Sequence, residues 1–165
     1  MFQRKASIFL LCFFALAATP VAAFDLNLAL GADFGGDFDV DNISVSADTG
    51  YTLGLELAFK IPVIEVGVGL EYGFSRDAKD FDFDGSYYQL YAIGRFFIGP
   101  AYIAGRFGYA DVSFSEVIDG STDGGAWGLG GGVELFGKLK LELLFNSLGG
   151  DLSYESWTAR VLYTF

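Results

Sequence analysis

At 165 residues the chain is the size of a single domain, and its net charge of -11 with no histidine excludes a nucleic-acid partner, which would need clustered Lys and Arg to meet phosphate. A chain that is 52% hydrophobic and 18% aromatic is too apolar for disorder, while 23 glycines are too many for a helical protein. Extended structure is what remains.

Residues 1–23 read as a signal peptide. Arg4 and Lys5 form the charged start, Ile8 to Ala18 the apolar stretch, and Val21-Ala22-Ala23 the small-residue cleavage site, so the mature chain is expected to begin at Phe24. The apolar run is too short to span a bilayer. Cys12, the single cysteine, lies inside this segment, so residues 24–165 hold neither a disulfide nor a reactive thiol. Loss of Arg4 and Lys5 makes the remaining chain still more acidic.

From residue 24 onward the dominant period is two. Leu26, Leu28, Leu30, Ala32 and Phe34 alternate with Asp25, Asn27, Ala29, Gly31 and Asp33; Tyr51 to Phe59 and Ile64 to Phe74 repeat the pattern. Residues 86–97 and 101–111 alternate less cleanly, with Gln89, Arg95 and Arg106 marking the polar face. Trp127 to Leu135, Leu139 to Phe145 and Trp157 to Phe165 complete a set of eight strands. Tight turns follow the second, fourth and sixth, at Lys60-Ile61-Pro62, Ile98-Gly99-Pro100 and Phe136-Gly137-Lys138. Longer polar stretches, residues 36–48, 76–86 and 112–125, follow the first, third and fifth. This is the layout of an all-β, eight-stranded antiparallel up-and-down barrel occupying residues 24–165.

Which face points outward decides between a soluble and a transmembrane barrel. Gly54, Ala58, Gly67, Gly69, Gly73, Ala126, Gly128, Gly130 and Gly132 lie on the polar face, as a narrow interior requires. The opposite face is Leu, Val, Ile and aromatic, which lipid alone accommodates. The strands have the length needed to cross a bilayer, and aromatics gather toward their ends as interfacial girdles.

The ending Ala159-Arg160-Val161-Leu162-Tyr163-Thr164-Phe165 resembles the C-terminal signature of bacterial outer-membrane barrels, and the architecture as a whole is similar to the small barrels of the OmpA and OmpX type. The resemblance implies the outer membrane of a Gram-negative-type bacterium, outer-membrane lipid and lipopolysaccharide as surroundings, and insertion by the barrel-assembly machinery reading Val161, Tyr163 and Phe165. It implies a monomer. The enzymes among such barrels, phospholipase, protease and lipid A-modifying, use a histidine, and this chain has none, so a Ser-His or Asp-His mechanism is excluded.

Glu56, Glu65, Glu71, Glu134 and Glu142 share the polar face with Lys60, Arg95, Arg106, Lys140 and Arg160. Charges of both signs in one narrow lumen predict ion pairs and hydrogen bonds, helped by Tyr87, Gln89 and Tyr91, that plug the barrel. The function expected is therefore structural or surface interaction, with no catalysis. A narrow gated conduit for small solutes is the alternative.

Three further carboxylates, Asp80, Asp82 and Asp84, precede Gly85 in the order of the first half of a calcium-binding loop. Position twelve of that loop is Tyr91 instead of Glu, and neither flank is helical, so the stretch reads as the tip of the second outer loop. No resident cofactor is expected, only loosely shared Ca²⁺ or Mg²⁺ at acidic loops.

Overall fold

The computed structural model describes residues 24–40, 43–78, 81–115, 120–149 and 152–165. The signal peptide expected at residues 1–23 lies outside them, as does Asp80; the side chains of Asp82 and Asp84 lie outside the described side chains.

Nine strands are present among the described residues: β1 Phe24–Val40, β2 Ile43–Ser46, β3 Gly50–Ile61, β4 Ile64–Ala78, β5 Phe81–Ile98, β6 Ala101–Ser115, β7 Gly120–Leu135, β8 Leu139–Gly149 and β9 Leu152–Thr164. With β2 set aside, the other eight strands pair antiparallel in chain order, and β9 returns to β1, which closes an eight-stranded barrel. The seam is long, running from Asn27 opposite Thr164 to Val40 opposite Leu152 with one irregularity between Phe34 and Asp37. Inside it Thr164 Oγ1 donates to Asn27 Oδ1 at 2.5 Å, and the Phe165 amide donates to the Leu26 carbonyl at 3.0 Å. A closed sheet leaves no edge unpaired, the condition for spanning hydrocarbon with strands.

The polar stretches expected as long loops are for the most part strand. β4 runs to Ala78 and β5 begins at Phe81; β6 runs to Ser115 and β7 begins at Gly120. β2, inside the first stretch, pairs with the upper end of β1 from Asp37 opposite Ser46 to Val40 opposite Ile43. At about 3.3 Å per residue and a tilt near 40°, the 18 residues of β5 rise about 45 Å, well beyond a hydrocarbon core of about 30 Å. The barrel therefore projects past the membrane on the loop side.

Alternation orients the wall as the composition requires. On the outside β4 presents Ile64, Val66, Val68, Leu70 and Phe74, while Glu65, Gly69, Glu71 and Gly73 are inward and buried. The blurred pattern of β5 and β6 has a physical cause: their inward positions include Ile93, Phe97, Tyr102 and Val112, all buried, so both faces of these strands carry apolar residues.

Candidate functional site in the barrel lumen

The inward-facing charges meet at mid-height. Arg95 sits among three carboxylates, with Nη2 2.8 Å from Glu56, Nη1 2.7 Å from Glu65 and Nε 2.8 Å from Glu142. Arg160 reaches Glu56 at 2.8 Å, Glu71 at 2.9 Å and Glu142 through Nε at 3.0 Å. Arg106 Nη1 pairs with Glu71 at 3.1 Å, and Lys140 Nζ with Glu65 at 2.7 Å. These four cations and four glutamates are buried and balanced in formal charge. Each carboxylate borders two cations or accepts additional hydrogen bonds, the arrangement that offsets the cost of removing charges from water.

Tyrosines tie the network to the wall. The Tyr91 hydroxyl donates to Glu56 at 3.0 Å and accepts from Arg160 Nη1 at 3.0 Å, and the Arg106 guanidinium lies 5.0 Å from its ring centre. The Tyr87 hydroxyl is 3.1 Å from both Asp33 Oδ2 and Glu71 Oε1. Both rings cross to the neighbouring strand and cover a glycine: Tyr87 stands opposite Gly73 and Tyr91 opposite Gly69, where a Cβ would meet the ring carbons. The small residues of β4 are thus the seats of the large residues of β5.

Asp33 joins the network although charge balance alone did not single it out. Arg106 Nε donates to Asn146 Oδ1 at 2.9 Å, Asn146 Nδ2 to Thr158 at 2.6 Å, and Thr158 Oγ1 to Asp33 at 2.5 Å. The only sequence signal for Asp33 is its inward parity on β1. Gln89, expected to help, is buried at the same height but neither amide atom makes a hydrogen bond. Lys60 and Glu134 pair at 2.5 Å, apart from the rest at the tight-turn rim, with 30% and 16% of their side chains exposed; Lys60 also lies 4.4 Å from the Phe97 ring centre.

Apolar clusters flank the charges. Ala47, Tyr87, Ala110, Val112, Ala126, Leu148 and Tyr154 are buried together toward the loop end. Phe97, Tyr102, Ala104 and Leu144 are buried together toward the tight turns. These inward hydrophobics depart from the small-or-charged interior that the sequence implies.

Val161 and Tyr163 near the end of β9, and Phe165 just after it, the residues expected to signal barrel assembly, lie on the outer face, with the Tyr163 and Phe165 rings edge to face at 5.1 Å. Among the described residues no group of three or more metal-ligating side chains converges on one point.

A family model described as Outer membrane protein beta-barrel domain matches residues 6–165. Among curated protein sequences none matches significantly. Solved structures with the same fold include Ail of Yersinia pestis, at 17% identity over 88% of this chain and 100% of that one, with a TM-score of 0.65. Neisserial surface protein A matches at 15% identity over 86% of this chain and 97% of that one, with a TM-score of 0.59. OprG of Pseudomonas aeruginosa matches at 13% identity over 86% and 95%, with a TM-score of 0.50.

Proposed function

The chain belongs to the outer membrane protein beta-barrel domain family, and on that premise we propose that it is a non-enzymatic, monomeric barrel with a structural or surface-interaction role and a closed lumen. The observation that carries this reading is the layering of the interior: among the described residues a buried ionic network lies between two clusters of buried apolar side chains. An ion entering from either end would first lose its hydration against Tyr154 and Leu148 or against Phe97 and Tyr102, then displace a pair already made. Eight-stranded interiors are in general just filled by side chains.

Any interaction then falls to the loop end. Arg76 and Lys79 are the only basic residues in the stretches 36–48, 76–86, 112–125 and 148–151, which carry many carboxylates. Asp37, Asp48, Asp123 and Glu155 are exposed there. Ail has been crystallised with the heparin analogue sucrose octasulfate; a polyanion of that kind is repelled by the acidic end of this barrel, so that ligand class does not transfer. Lipopolysaccharide phosphates would be met through shared Ca²⁺ or Mg²⁺. Insertion would proceed through the barrel-assembly machinery at Val161, Tyr163 and Phe165.

The test is single-channel recording of the purified barrel in a planar bilayer. A quiet baseline is expected across the accessible voltage range. Steady, reproducible conductance steps would establish the gated conduit instead.

A further inference from the structure

Gln89 is fully buried, yet the lumen network passes it by: among the described residues neither its Oε1 nor its Nε2 has a hydrogen-bond partner. Burying a primary amide with both atoms unpaired is costly, and such groups are normally satisfied by protein or by ordered water. A second orphan belongs to Arg106. This side chain uses Nη1 on Glu71 at 3.1 Å and Nε on Asn146 at 2.9 Å, while its Nη2, also buried, has no partner.

Register brings the two groups together. Gln89 is the direct ladder partner of Glu71, the carboxylate on which Arg106 Nη1 rests. The Arg106 backbone lies opposite Ile93, but its guanidinium climbs to 5.0 Å from the ring centre of Tyr91, the next inward side chain from Gln89. Glu71 is already engaged at both oxygens, Oε1 by the Tyr87 hydroxyl and Oε2 by Arg106 and Arg160. Tyr87 and Tyr91 both swing toward β4, where they cover Gly73 and Gly69, and so away from β6. On the β6 side Gln89 stands opposite Ala110, and the next inward position, Gly108, stands opposite Ala126 of β7. Nothing larger than a methyl group projects toward the amide from these three positions.

The chemistry of the unpaired atoms selects an occupant for that recess. Arg106 Nη2 and Gln89 Nε2 only donate, and Gln89 Oε1 only accepts, so the ligand must do both. An anion would lie against Glu71, and a cation against the Arg106 guanidinium. A neutral donor and acceptor small enough to sit beside alanines is water.

We propose that Gln89 and Arg106 form an internal hydration site, in which water accepts from Arg106 Nη2 and from Gln89 Nε2 and donates to Gln89 Oε1. The site ties Gln89 to a belt of polar contacts that runs from Arg106 through Asn146, Thr158, Asp33, Tyr87 and Glu71 back to Arg106. Water there is long-lived only in a closed lumen, so the site rests on the reading proposed above.

The test is water–protein NMR on the folded exported chain in detergent micelles, labelled with ¹⁵N in glutamine. Gln89 is the sole glutamine from residue 24 onward, so its side-chain amide gives the only labelled NH₂ pair, and Gln89→Met confirms the assignment by removing it. Cross-peaks between this amide and water that have opposite signs in nuclear Overhauser and rotating-frame experiments are expected, the signature of water held for longer than the barrel tumbles. Absence of any water cross-peak overturns the hydration site and leaves the closed lumen standing. Cross-peaks of the same sign in both experiments, from water that exchanges rapidly, overturn the site and the closed lumen together.

Discussion

Glu142 on β8 and Arg160 on β9 stand directly opposite each other in the ladder, yet they do not form a private pair: the same guanidinium also reaches Glu56 at 2.8 Å and Glu71 at 2.9 Å, from two strands on the other side of the seam. Arg160→Met therefore takes one of two cations from each of three buried carboxylates at once, leaving Glu56 and Glu142 to Arg95 and Glu71 to Arg106. A loss of about 3–5 kcal/mol is expected in urea unfolding followed by tryptophan fluorescence. Lys60→Met at the partly exposed rim should cost about 1 kcal/mol or less by the same assay. Adding Glu142→Leu to Arg160→Met should recover part of the loss, and no recovery would mean that the two do not act through one network.

Two glycines on different faces should respond oppositely to a methyl group. Gly130 faces the lumen with the Leu143 carbonyl and the Leu144 backbone against the site where a Cβ would stand, so Gly130→Ala should cost about 1–3 kcal/mol by forcing β7 and β8 apart. Gly94 faces outward with open space around it, and Gly94→Ala should be neutral or stabilise by up to about 1 kcal/mol. Equal destabilisation by both would remove steric packing as the reason for the small residues of β7.

Beyond the membrane, Asp111 and Asp123 are cross-strand partners on the outer side of β6 and β7. Like charges directly opposite are destabilising, so Asp123→Asn should raise stability by roughly 0.2–1 kcal/mol, with a gain that shrinks as salt is added. A gain independent of ionic strength would point to something other than charge repulsion.

Phe165 is exposed, joined to the barrel by its own amide and by one ring contact. Phe165→Ala should shift the stability of protein refolded in detergent by about 1 kcal/mol or less, since little is buried there. In cells the same variant should yield markedly less heat-modifiable barrel. A parallel loss in both settings would assign Phe165 a packing role instead of one in assembly.

The eight membrane strands were legible because one side of each faces lipid, which enforces a period of two over nearly the whole chain. The same parity located the lumen charges, since Glu56, Arg95 and Arg160 all fall on the glycine-rich face. Their partners were not legible. Arg160 meets Glu56 across a closed seam, and which side chains share a level depends on the register of every intervening ladder. Asp33 was missed because its connections pass through Tyr87, Thr158 and Asn146, neutral residues that no charge count includes. The apolar clusters at Leu148, Tyr154 and Phe97 were missed for a related reason: once alternation assigns a face to the lumen, an apolar residue on it carries no signal distinguishing a filled interior from a slipped register.

The ionic layer also bears on the order of assembly. Its members come from β1, β3, β4, β5, β6, β8 and β9, and a sheet lacking only β9 holds Asp33, Glu56, Glu65, Glu71 and Glu142 against Arg95, Arg106 and Lys140. Such an open sheet has two carboxylates more than cations lining its concave side, and a further cation, Arg160, arrives on the final strand. Docking of β9 thus supplies the hydrogen bonds that abolish both edges and, in the same event, a cation that offsets part of the interior's negative charge. A barrel arrested one strand short is left electrostatically unfinished as well as unclosed, which gives the last step a driving force that lipid and backbone alone would not provide.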